Sequence, residues 1–305
     1  MVSLHTPALP AGAPQAGGSE SRVDIRHVRT HDEFVQCVEL QAATWGAGFR
    51  ESVPATMLKI TQRLGGVTAG AFAPDGGLLG FIFGITGIEH GALVHWSDML
   101  AVDIGAQNEG IGRRLKEFQR ETVRALGVTR MYWTYDPLVA RNAHFNLNCL
   151  GARMSEYVPD MYGTNTGSVL HNGFGTDRFI VVWPIAPSRA AGGDVDAVSA
   201  EGVPSPAAWR ATPILNAGMP DGPTTDLASF ANAPPPLARV EIPADIFRVQ
   251  RDQIAHAVHW RESTRRAFQW ALANGYRVER FERDASGARG YYMLARNAPS
   301  STSTH

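Results

Sequence analysis

L100-A-V102, D103-I-G-A-Q-N-E-G-I-G112 and R113-R-L-K-E-F-Q-R-E-T-V-R-A-L126 run together as strand, glycine-containing loop and helix, closed by Gly127. A helix start leaves backbone N–H groups without partners, and its dipole favours negative charge there, so this loop is a candidate anion site. Gly110 and Gly112 would let backbone approach a pyrophosphate with no Cβ in the way. A Walker loop requires Lys after its last glycine, whereas Arg113 and Arg114 follow Gly112. A dinucleotide fingerprint would need its third glycine where Leu115 stands, and would open a βαβ series. The helix carries an apolar stripe that reads Ile111, Leu115, Phe118, Thr122 and Leu126.

Working outward, V23-D-I-R-H-V28 alternates as a strand does, and His31 to Trp45 has helical spacing that stops at Gly46. A short helix is expected over Pro54 to Leu64. G66-V-T-A-G-A-F-A73 and L78-L-G-F-I-F-G-I85 flank Pro74-Asp75-Gly76-Gly77, a hairpin signal. L93 to V102 is a third strand. Beyond the decisive helix come a strand at M131-Y-W-T-Y135, a helix from Asn142 to Leu150, and strands near 153–158 and 177–185. Antiparallel-looking strands followed by strand–loop–helix–strand imply an α/β fold with a mixed, largely antiparallel sheet flanked by helices.

The first 22 residues are mostly Ala, Pro, Gly and Ser and are expected to be a disordered tail, as are residues 298–305. Nine of the 19 prolines fall within 187–236, which reads as a linker between a domain at 23–186 and a smaller α+β unit at 237–297. At roughly 60 residues that unit is marginal alone and should pack on the first sheet. The net charge of −1 gives no electrostatic reason to expect nucleic acid or an anionic membrane as partner. Two cysteines, Cys37 and Cys149, cannot build a disulfide framework or a structural zinc site, so no metal is expected. No stretch is apolar enough to span a membrane and no signal peptide is legible, so the simplest expectation is a cytoplasmic location.

Q107-N-E-G-I-G112 resembles the Q/R-x-x-G-x-G/A signature of the GNAT acyl-CoA N-acyltransferase superfamily, and L100-A-V102 resembles the strand that precedes it there. The likeness covers about residues 23–186. It is closest to a bacterial-type subgroup marked by Trp45-Gly46, H95-W-S-D-M-L100, Tyr135-Asp136-Pro137 and Thr176-Asp177-Arg178, with a C-terminal extension. The resemblance implies direct transfer of an acyl group, acetyl or succinyl, from an acyl-CoA to the amine of a small molecule such as an amino acid or derivative. The other reading is a GNAT-fold module that binds CoA in a regulatory or interaction role with little catalysis. A homodimer stays open.

Carried onto this chain, the resemblance assigns CoA pyrophosphate binding to Gln107, Asn108, Glu109, Gly110, Ile111, Gly112 and Arg113, with Arg114 as added charge. Leu100, Ala101 and Val102 would pair with the pantetheine arm, the Leu100 region would supply an oxyanion donor, and Asn142 would flank CoA. The family's tyrosine acid is replaced by Leu147, which leaves Asn146, Tyr157, Tyr162 or water. Simple strand alternation puts Asp98 on the face of Leu100 and Val102, with His95 and Ser97 opposite; the resemblance implies a base on the former face a few residues before L100-A-V102, which makes Asp98 the first candidate and His95 the second. Glu89 and His90, in the preceding bend, remain further candidates. Arg261 and Arg265, one helical turn apart, and Arg178 are candidate ligands of a substrate carboxylate, alongside Tyr162; a solvated arginine face is the plain alternative for the first pair.

Overall fold

The computed structural model describes residues 23–185 except 164, 169, 171 and 172, then residues 209, 211–216, 227–230 and 232–296. The expected tails at 1–22 and 298–305, and most of the expected linker at 187–236, lie outside these residues.

The first unit runs β1 (Asp24–His27), α1 (His31–Trp45), α2 (Ala55–Arg63), β2 (Val67–Phe72), β3 (Leu78–Glu89), β4 (Ala92–Val102), α3 (Ile111–Ala125), β5 (Arg130–Tyr135), α4 (Ala140–Ala143), β6 (Arg153–Val158) and β7 (Arg178–Pro184). Helix α4 continues into a π-helical stretch, His144–Cys149. Local chemistry sets the boundaries. Thr30 and Glu33 form a reciprocal capping box at the start of α1, and Gly46 ends it at φ 98°. The seven strands order as β1-β2-β3-β4-β5-β7-β6, antiparallel at every junction but one. This is the mixed, largely antiparallel sheet expected. Residues Phe81, Phe83, Met99 and Ala101 pack toward α1 and α2, while Ile82, Leu115 and Trp133 belong to the core on the α3 side.

The exception, β4 beside β5, positions the site. These parallel strands pair only at Val94–Arg130, His95–Met131 and Trp96–Tyr132, and then part. In the same place β4 carries a bulge: Phe83 pairs with Met99 and Gly84 with Ser97, so Asp98 has no partner on β3. The extra residue reverses the alternation. Ser97 lies against α3 through Lys116, and Leu100 and Val102 also lie there, next to Gly112, whereas Met99 and Ala101 join the α1–α2 core. The simple alternation that separates Ser97 and His95 from Leu100 is therefore corrected.

The smaller unit is a sheet of β8 (Leu237–Pro243), β10 (Arg289–Arg296) and β9 (Tyr276–Arg283), ordered β8-β10-β9, with α5 (Ile246–Asp252) and α6 (Ile254–Ala273). It shares its core with the first. Phe268 of α6 stands 4.7 Å, centroid to centroid, from Phe179 of β7, and both are fully buried. Burial of one such ring contributes about 1.5–3 kcal/mol, an amount this unit's own small core cannot forgo. Part of the proline-rich segment also packs here: Leu215 N–H donates to Arg239 O at 2.8 Å, and Trp209 is buried.

Candidate active site

Where β4 and β5 separate, a cavity of about 370 Å³ opens between them. Ser97, Asp98 and Leu100 line one side, Trp133, Thr134 and Asp136 the other. Lys116 of α3, Asn142 and Asn146 of the α4 region, Glu51, Tyr162, Arg178 and Phe247 of α5 complete the wall. Beyond Trp96 the β4 edge has no pairing with β5, so backbone groups around Leu100 are free for an extended ligand.

The glycine loop adjoins this edge. Gly110 takes the left-handed conformation at φ 76° and caps α3 with no side-chain hydrogen bond. Asn108 is also left-handed, at φ 69°. Gly112 has ordinary backbone, and a Cβ there would come no closer than 3.8 Å, to Leu100 Cδ2. Its place beside Leu100 links the uncapped helix start to the cavity. Side chains around the loop are engaged locally: Gln107 Nε2 donates to Val102 O at 3.2 Å, Arg113 pairs with Glu117, and Arg114 donates to Val23 O. Glu109 is exposed and Ile111 is buried in the core, so their contribution to an anion site is through backbone N–H groups.

Asp98, at the bulge, is exposed and lines the cavity, and partial desolvation among the cavity walls raises its carboxyl above the ordinary value. The Trp96 hydrogen bond pulls the other way, and the neighbouring charge of Glu51 adds to the rise. A raised carboxylate facing a cavity suits a general base. His95 does not. Its ring is fully buried, Nδ1 lies 3.0 Å from Thr86 Oγ1, and burial together with the Lys116 charge pushes its pKa down to about 3. Glu89 is held at the hairpin by Tyr132 OH, outside the cavity lining, as His90 is.

The arginine assignments are corrected in part. Arg261 donates to both oxygens of Asp136, at 3.0 and 2.6 Å, and to Phe174 O. Arg265 binds Asp177 and Asp160, and Tyr157 OH also donates to Asp177. Neither arginine lines the cavity, and their forks are filled by protein carboxylates, which leaves no vacant fork for a substrate. The alternative of a solvated arginine face is not met for Arg261 either, since that residue is buried. Arg178 does line the cavity, next to Asp136 at 3.6 Å and with its guanidinium over the Tyr162 ring. Tyr135-Asp136-Pro137, Thr176-Asp177-Arg178 and W260-R-E-S-T-R265, far apart in sequence, thus converge on one ion network between the two units.

Sequence reasoning missed Lys116, Ser97 and Trp133. The buried face of α3 is Ile111, Leu115, Lys116, Gln119 and Val123; Phe118 is only partly buried and Leu126 is 46% exposed, so the stripe over Phe118, Thr122 and Leu126 is corrected. A lysine and a glutamine on the core-facing stripe were the available signal. Tyr162 OH is 2.9 Å from Thr134 Oγ1 at the cavity wall, and Asn146 Oδ1 accepts from Trp133 Nε1 at 2.8 Å. Among the described residues no helix is long and apolar enough to cross a membrane, and no His/Cys/Asp/Glu group could hold a metal ion.

No family model and no curated protein sequence matches the chain. Solved structures similar to it include the GNAT-family acetyltransferase from Streptococcus pneumoniae, at 16% identity and TM-score 0.43, covering 53% of this chain and 99% of that one. The ribosomal-protein-S18-alanine N-acetyltransferase from Escherichia coli is similar at 17% identity and TM-score 0.42, covering 55% and 96%. An aminoglycoside 6'-N-acetyltransferase complexed with coenzyme A gives 15% identity and TM-score 0.41, covering 54% and 98%. Likenesses at this level concern the layout of about half the chain and say nothing of its substrates.

Proposed function

We propose that this chain is an acyl-CoA-dependent N-acyltransferase that moves an acyl group, acetyl or succinyl, directly to the amine of a small molecule. The observation that carries the reading is the parting of β4 from β5 beside an uncapped helix start, with a raised carboxylate, Asp98, in the cavity between them. The residues fit a CoA thioester. Loop amides from Asn108 to Arg113 meet the pyrophosphate, the β4 edge at Leu100 to Val102, which has no β5 partner, meets the pantetheine amides, and Asn142 flanks the same channel. A donor at the Leu100 edge steadies the carbonyl oxygen as charge gathers on it, a contribution of about 3–4 kcal/mol in other acyl transfers.

Asp98 takes a proton from the acceptor amine, directly or through water, as nitrogen attacks the thioester carbon. Arg178 and Tyr162 line the same cavity, and a cation at its wall favours an amine that also bears a carboxylate, such as an amino acid. The catalytically weak CoA-binding module is the contrasting function, and turnover separates the two. With acetyl-CoA and a panel of amino acids, Asp98→Asn should lower kcat about 100-fold or more and leave CoA affinity within about twofold. Wild-type kcat/KM should fall as acid protonates Asp98, with its limb above the ordinary carboxylate range. Equal rates for both proteins across about pH 6–9 would remove Asp98 as the base.

A further inference from the structure

Lys116 stands where β4 and β5 begin to part. Ser97 follows the last paired residue of β4, and Trp133 follows the last paired residue of β5. Lys116 Nζ spans that fork, 2.8 Å from Ser97 Oγ and 3.9 Å from the Trp133 ring centroid. The residue is 3% exposed yet lines the cavity beside Leu100 and Asn146. Among the described residues no carboxylate lies within ion-pair distance of it. A primary ammonium has three N–H groups, so hydrogen bonding to one hydroxyl leaves donors for a ligand.

The other candidates for protonating a leaving thiolate are apolar or already hold a protein partner. Leu147, where the resemblance expects a tyrosine, is a core residue, and Tyr157 OH is committed to Asp177. Tyr162 OH is in a hydrogen bond with Thr134 Oγ1, and Asn146 Oδ1 is held by Trp133.

We propose, on the acyl-transfer reading above, that Lys116 is the group that meets and protonates the CoA sulfur. The acceptor nitrogen forms the C–N bond and its proton goes to Asp98. The C–S bond breaks, its electron pair leaves on sulfur, and Nζ gives that sulfur one proton. Exchange with solvent through the cavity mouth then returns a proton to Nζ and removes one from Asp98. Burial holds the Lys116 pKa well below its usual value, which moves an ammonium toward the acidity of a thiol, ordinarily near about 8.5.

The test uses the full chain with CoA itself and needs no acceptor. Bound CoA is titrated with base while thiolate is followed by its ultraviolet absorbance. The thiol should ionise at least about one pH unit lower in the wild type than in Lys116→Met, with CoA affinity alike within about threefold. Lys116→Arg, which keeps a cation but holds its protons, should retain the lowered thiol titration while losing kcat about as far as Lys116→Met. Identical thiol titrations in the wild type and Lys116→Met would overturn the proposal and leave the acyl-CoA site standing. Mass spectrometry that finds Lys116 itself acylated would also overturn it, since the amine would then be an acceptor. Failure of the wild type to bind CoA would remove the acyl-transfer reading and this inference with it.

Discussion

Arg261 and Lys116 are equally hidden, each 3% exposed, yet their surroundings are opposite. Arg261 has both oxygens of Asp136 and a backbone carbonyl, and the pair is reinforced by Arg178. Burial alone would raise the Asp136 pKa, but Arg261 and Arg178 hold it below the usual carboxylate value. Lys116 has a hydroxyl and an aromatic face, and burial lowers its pKa with nothing opposing. A buried cation matched by carboxylates fastens two parts of a fold. One left without an anion weakens the fold unless a ligand supplies what is missing.

The largest effect should come from breaking the matched site. Arg261→Met leaves the Asp136 charge buried with only Arg178 nearby, and should cost about 3–5 kcal/mol in urea unfolding. In the wild type the depressed Asp136 pKa gives stability that is present above about pH 4 and is lost as pH falls through the folded value. In Arg261→Met the carboxyl should move upward, so the deficit should shrink as the solution is acidified. A deficit that is small and independent of pH would mean that the network does not join the units.

Lys116→Met should behave in the opposite way. It replaces an amine without a counter-charge by an apolar chain of similar length against Trp133, and should be as stable as the wild type or more so by about 1 kcal/mol. The gain should shrink as pH rises toward the unfolded lysine value, because the depressed folded pKa penalises the wild type most where the unfolded chain is protonated. A loss of several kcal/mol would make Lys116 a structural member like Arg261.

Much of this architecture was legible in the sequence because it is local. Capping residues, the D-G turn, and the glycine loop between strand and helix carry their own conformational instructions, and the main elements lie near where periodicity puts them. The bulge at Asp98 was not legible, since it depends on how β4 registers against β3. That single unpaired residue turned the face argument for His95 and Ser97 around. The fate of the arginines was likewise hidden: β5–β7 pairing brings Asp136 to Arg178, and Arg261 joins them only when α6 folds back on the first sheet, 125 positions separating Asp136 from Arg261. Lys116 was within reach, because a lysine on a core-facing stripe needs an explanation.

The most direct test of the central claim is a calorimetric titration of the full chain with CoA, repeated on Gly112→Asp. Position 112 has ordinary backbone, and a Cβ there makes only van der Waals contact, 3.8 Å from Leu100 Cδ2 and 3.9 Å from Val102 Cγ2, so the change is expected to keep the fold while placing a negative charge at the helix start. The wild type should bind at micromolar strength and the variant not at all, with unchanged circular dichroism. No heat with the wild type, or equal affinity in both proteins, would contradict the claim.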